Sequence, residues 1–185
     1  MTTEKGERRK QALTEAAGAL LREGGFDAIR HRAVADRAGL PLASTTYYFD
    51  SLDELVTAAV ELTSRQDLAA GRAELDACAE ADPLDLVLDQ LLGRESRKGG
   101  LDAVLLRYEQ LVGAGRRPYL APLMRTLRTE LDGLLTEALA RAGHRLEADR
   151  LRRVVEVVDG AVLSALIEAD PDPRATARAA LLRVL

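Results

Sequence analysis

Cysteine is almost missing from this chain of 185 residues: Cys78 stands alone, which excludes a disulfide framework and any multi-thiolate metal site and fits a reducing compartment. Histidine is nearly as scarce. Neither His31 nor His144 has the Glu three residues earlier that a di-iron bundle needs, and Cys78 has no evident base, so the inventory speaks against an enzyme and against a resident cofactor or metal. Aromatics make up 3% with no Trp, and no stretch alternates β-branched with polar residues, so sheets are not expected. No uncharged apolar run reaches the ~18 residues a bilayer span requires. The start, Met1 to Arg8, lacks the apolar stretch of a signal peptide, and the expectation is a cytoplasmic protein with no membrane partner. A net charge of -4 excludes a chain that binds nucleic acid by overall charge, and the first 50 residues carry only eight basic against seven acidic side chains.

What the chain does have is helical periodicity throughout, and at 47% hydrophobic and 30% charged residues it can bury a real core. A first helix is expected from about Thr3 to Glu23, with Leu13, Ala16, Ala17, Leu20 and Leu21 on one face and Gly24-Gly25 as its stop. Short helices follow from about His31 to Ala38 and from Pro41 to Phe49. Asp50-Ser51 opens a fourth of about seven turns, with Asp53 and Glu54 at the positive end of its dipole. Asp82-Pro83 starts a fifth running to about Arg97, Gly99-Gly100 breaks it, and a sixth carries Leu101, Val104, Leu105, Tyr108 and Val112 up to Gly113, Gly115 and Pro118. A seventh is expected from about Pro118 to Ala142 and an eighth from about Glu147 to Ala169. Pro171-Asp172-Pro173 introduces the ninth. The fold class is therefore all-α.

The eighth helix is apolar nearly all round, with Val154, Val155, Val157, Val158, Ala161, Val162, Leu163, Ala165, Leu166 and Ile167, and the ninth ends on Leu181, Leu182, Val184 and Leu185. One chain of this size has difficulty hiding both. Two chains packing these helices into a shared four-helix bundle solve the problem, with Val155, Val158, Val162, Leu166, Leu181 and Leu182 as the expected contact residues of a homodimer.

Residues 31–50 are the chemically telling stretch. Two short helices flank Gly39, with the small Ala35 four residues before it, as a helix-turn-helix requires: Ala permits close crossing and Gly supplies the positive φ of the turn. Helical spacing turns Thr45 and Phe49 inward and Ala43, Ser44, Tyr47 and Tyr48 outward, with Leu42 and Thr46 at the margins. Hydroxyls and phenols donate to phosphates, and small apolar groups meet thymine methyls in a major groove. This face has no Arg or Asn for bidentate base reading, so Arg32 from the preceding helix, with Lys5, Arg8 and Arg9, is expected to add DNA contacts.

These residues resemble the TetR/AcrR family of bacterial one-component regulators. The likeness rests on Gly24-Gly25-Phe26 after the first helix, Ala35-Asp36-Arg37-Ala38-Gly39, Tyr47-Tyr48-Phe49, and Asp50-Ser51 followed by Asp53-Glu54-Leu55, and covers roughly residues 8–60. Beyond it the likeness is architectural: a nine-helix pattern, the Val158-Asp159-Gly160 segment and the Asp170-Pro171-Asp172-Pro173 lead into the last helix. The resemblance implies a DNA-binding domain at residues 1–50 and a ligand-binding and dimerisation domain at 51–185. It also implies a homodimer on a palindromic double-stranded operator, and a small-molecule effector that releases the DNA. Ser44, Thr46, Tyr47 and Tyr48 fall at its DNA-contact positions and Arg32 where its second helix touches DNA. Thr46 replaces the usual Tyr, Leu52 the usual phosphate-binding Lys, and Arg30 the usual Thr cap.

For the effector, Gln66, Arg107, Tyr108, Glu109, Tyr119 and Arg128 are polar or aromatic groups on or beside apolar stripes, as is Asp159; each serves equally as a ligand anchor or a satisfied core residue. Gly160 is expected to allow close helix approach. The competing function is an all-helical ligand-binding or interaction module that has lost specific operator binding, as the apolar or smaller Leu42, Thr46 and Leu52 suggest.

Overall fold

The computed structural model describes residues 4–77 and 82–185, so Cys78 lies outside the described residues. Among them the chain forms nine α helices, three short 3-10 turns and no strand. The helices are α1 (Glu4–Gly24), α2 (His31–Ala38), α3 (Leu42–Tyr48), α4 (Leu52–Ala77), α5 (Pro83–Leu92), α6 (Leu101–Gly115), α7 (Ala121–Arg141), α8 (Ala148–Ile167) and α9 (Pro173–Val184). None is long and apolar enough to cross a membrane. The backbone resolves into two compact units: Met1–Gln66 with Glu109–Arg125, and Asp67–Tyr108 with Thr126–Leu185.

In the first unit α1 packs on α2 and α3, burying Leu13, Ala17, Leu21, Val34, Ala35 and Phe49 together with Leu55 and Ala59 of α4. The start of α4 is capped reciprocally. Ser51 Oγ accepts the Glu54 N–H at 3.1 Å while Glu54 Oε2 accepts the Asp50 N–H at 2.7 Å, which satisfies two of the donors a helix start leaves free.

In the second unit the core joins α5, α7, α8 and α9 with Leu75 of α4 and Val104 and Tyr108 of α6, and Leu88, Leu92, Leu135, Leu139, Val158, Val162 and Leu181 are fully enclosed. Asp82 and Asp172 cap α5 and α9 by accepting the Leu84 and Ala175 N–H groups, each with Pro at the first helical position. Helix α5 stops at Leu92, short of the expected Arg97: the chain leaves helical conformation at Gly93 and re-enters as a 3-10 turn, Arg94–Lys98. That turn holds an ion network. The carboxylate of Asp89, with no side-chain exposure, lies 2.8 Å from Arg174 of α9 and 2.6 Å from Arg97, and Arg97 also bridges to Glu74 of α4.

Two expectations about α8 change. Val155, Val158, Val162 and Leu181 are spent in the core of their own chain, each at most 2% exposed, and Leu166 packs half-buried against it. The apolar groups that α8 and α9 leave in water are Val157, Leu163, Ile167 and Leu182. Gly160 sits among the outward residues of α8 with nothing of this chain within 4 Å of where a β-carbon would stand, so it serves no helix approach within the chain.

Candidate functional site

The helix-turn-helix forms as its residues dictate. Helix α2 ends at Ala38, Gly39 takes φ 64°, and its N–H and that of Leu40 return to the Asp36 and Ala35 carbonyls at 3.2 and 3.0 Å. A β-carbon at that left-handed position costs about 1 kcal/mol or more, which is why glycine occupies it. Pro41 then precedes α3. Thr45 is fully buried and donates its hydroxyl to the Leu42 carbonyl at 2.8 Å, and Phe49 is 1% exposed, so one side of α3 is committed to the core.

The other side is presented to solvent. Tyr47 is 79% and Leu42 53% exposed, Ala43 and Thr46 are exposed beside them, and Ser44 and Tyr48 are half-buried at the edges. The Tyr47 and Tyr48 rings meet edge to face, centroids 4.8 Å apart, so each limits the other's rotamers. Lys5, Arg8 and Arg32 are exposed, and Arg8 pairs with Glu4 one turn away. Lys10 instead turns inward: its ammonium lies 5.1 Å above the Phe49 ring and 3.7 Å from Glu54, fastening α1 to the start of α4.

The expected effector residues do not share one setting. Gln66 and Glu109 are exposed. Tyr119 is half-buried, and burial, then the Asp53 carboxylate, raises its pKa. Arg128 is exposed and bonded to Asp132 one turn on at 2.7 Å. Tyr108 is the exception. It is 8% exposed in the core of the second unit and donates to Asp159 Oδ1 of α8 at 2.7 Å. Burial, then the Asp159 charge, pushes the phenol far above its ordinary range. Asp159 is raised too, because burial outweighs the Tyr108 hydrogen bond and the positive charges of Arg128 and Arg107. A buried carboxylate bonded to a phenol is a fixed polar group of the kind a largely apolar ligand pocket uses as an anchor.

A family model described as the tetracyclin repressor-like C-terminal domain matches residues 79–185. The chain belongs to the TetR family of transcriptional regulators. Among solved structures, the multidrug binding protein EbrR in complex with imidazole is 32% identical at TM-score 0.66, covering 97% of this chain and 90% of that one. EbrR with proflavin is 30% identical at TM-score 0.68, covering 96% and 99%. A TetR family member from Streptomyces coelicolor is 31% identical at TM-score 0.59, covering 96% and 98%. No curated protein matches the chain.

Within this TetR family chain, residues that the sequence did not single out also bear on the site. Gln110, Gly113 and Arg117 lie against the segment that leaves α1. Roughly ninety positions separate Gln110 from Leu21, and no periodicity reports so remote a contact.

Proposed function

We propose that this TetR family chain is a homodimeric repressor that binds a palindromic operator through α3 and is released by a small molecule held in the second unit. The observation that carries the reading is the division of α3. Thr45 and Phe49 are consumed by the core while Leu42, Ala43, Thr46 and Tyr47 are offered together, with Lys5, Arg8 and Arg32 as exposed cations of the same unit. Two such surfaces serve successive major grooves when a dimer sets them about 34 Å apart. Dimerisation uses the outward side of α8 and α9, Val157, Leu163, Ile167 and Leu182, which is apolar and open in the single chain.

For the effector, Tyr108 and Asp159 are the polar anchor. A buried carboxylate whose hydrogen-bond donor is a neutral phenol suits a flat organic cation, the class to which the proflavin bound by EbrR belongs. Such a ligand shifts the population away from the DNA-bound state by its differential affinity for the two states.

Fluorescence anisotropy on duplex DNA from its own upstream region tests the reading. Expected are sequence-selective binding that weakens with salt, and loss of that binding on adding proflavin in the unaltered chain but not in Asp159→Asn, which separates capture by the chain from intercalation of the dye into the duplex. Weak, sequence-blind binding that persists only at low salt overturns the repressor in favour of a ligand-binding module without an operator. Tighter DNA binding on adding the cation replaces release with corepression.

A further inference from the structure

Helix α3, Leu42–Tyr48, holds no amide and no charged side chain. Its two threonines give their hydroxyls to the helix itself. Thr45 donates to the Leu42 carbonyl at 2.8 Å and Thr46 to the Ala43 carbonyl at 3.3 Å. Thr45 is buried, but Thr46 is exposed, so what it turns to solvent is its methyl group. Leu42 stands one turn before Thr46 on the same side, with the exposed Ala43 beside it. Leu42, Ala43 and Thr46 therefore form a continuous strip of methyl groups. The hydrogen-bonding groups of α3 border that strip: Ser44, half-buried, and the phenols of Tyr47 and Tyr48, whose rings meet edge to face.

A base pair in the major groove shows donors, acceptors and, on thymine alone, a methyl group at C5. An apolar strip gains nothing by meeting a donor or an acceptor, since it takes water from that group without replacing the hydrogen bond. It gains by covering a methyl, about fourfold in affinity for each one removed from water. The remaining groups of the unit suit the backbone of the duplex. Phenols bond phosphates, and Lys5, Arg8 and Arg32 lie on α1 and α2, outside the helix that enters the groove.

We infer that Leu42, Ala43 and Thr46 select the operator by the C5 methyl groups of its thymines, while the phenols and cations hold the phosphates without choosing the sequence. The inference rests on the proposed function, and it names the feature of the DNA that the exposed side of α3 recognises.

The test uses two upstream duplexes of one sequence, made with thymine or with uracil throughout. Both pair with adenine in the same way, and they differ by the C5 methyl alone. Binding is measured by fluorescence anisotropy over a range of salt concentrations, for the full chain and for the double variant Leu42→Ala, Thr46→Ser, which keeps the hydroxyl that bonds the Ala43 carbonyl. The unaltered chain is expected to bind the uracil duplex about tenfold or more weakly, at least one covered methyl being lost from each half-site. The double variant binds the thymine duplex about as weakly and tells the two duplexes apart by about twofold or less. It keeps the salt slope of the unaltered chain, which shows that its fold and phosphate contacts are in place. Equal affinity of the unaltered chain for both duplexes overturns the inference and leaves the operator reading standing. The same uracil penalty in the unaltered chain and in the variant assigns the effect to duplex shape and overturns the inference too. Absence of sequence-selective binding to the thymine duplex overturns the operator reading, and the inference falls with it.

Discussion

Tyr108 donates its phenolic hydrogen to Asp159 across 2.7 Å, and the carboxyl it serves is nevertheless pushed above its ordinary range by burial. The folded chain therefore binds a proton at this site more readily than the unfolded chain does. Stability falls as pH rises from about 4 through the raised folded value. Asp159→Asn keeps an acceptor for Tyr108 and removes the charge. Urea unfolding should find it at least as stable as the unaltered chain at pH 7, with a flatter stability profile above about pH 4, and with proflavin affinity down by about tenfold or more. Equal proflavin affinity would remove Asp159 from the effector site.

The contact of Arg174 with Asp89 is of a different kind, since Asp89 is wholly enclosed and paired on two sides. Removing one partner of a buried pair strands the other. Asp89→Ala is expected to lose about 3 kcal/mol in denaturant unfolding, with Arg174→Ala close behind, whereas Lys98→Ala, which breaks an exposed pair with Glu95, changes stability by less than about 0.5 kcal/mol.

Gly160 gives a way to separate chain folding from assembly. Within the chain its missing side chain meets nothing, so Gly160→Arg relieves a helix-interior glycine and should raise the stability of an isolated chain by about 0.5–1 kcal/mol. If the outward side of α8 is the dimer contact, the same change places a charge and a long side chain in it. Sedimentation should then show a shift from dimer to monomer. A dimer of unchanged strength would move the interface elsewhere.

Salt dependence reads the start of α4. Leu52 stands there half-buried where a phosphate-binding Lys is usual in the family. Leu52→Lys is expected to tighten duplex binding at low salt and to steepen the slope of log affinity against log salt by about 0.9, the contribution of one neutralised phosphate. An unchanged slope would place the start of α4 away from the DNA backbone.

Much of the first unit was legible because its determinants are local. Gly39, Pro41 and the spacing of Thr45 and Phe49 act within one or two turns, and the structure seats each as the sequence leads one to expect. The end of α5 was not legible. A single Gly93 inside a helical pattern is ordinarily tolerated, and here the chain turns out of the helix at that residue, with the Ser96 hydroxyl donating to its carbonyl at 2.6 Å. The orientation of α8 was hidden for the opposite reason: with valine or leucine on nearly every side, the pattern does not say which of Val155 and Val157 faces inward. Partners such as Gln110 and Leu21, or Asp89 and Arg174, lie too far apart in the chain for any spacing rule to join them.

The split make-up of the first unit sets a rule for engineering. A graft that transplants only residues 1–50 onto another effector domain severs Leu21 and Phe26 from Gln110, Gly113 and Arg117. Such a chimera inherits the reading helices without the contacts that hold the exit of α1. Successful recombination between relatives should therefore exchange the Glu109–Arg125 stretch together with the N-terminus, as one cassette drawn from two places in the gene.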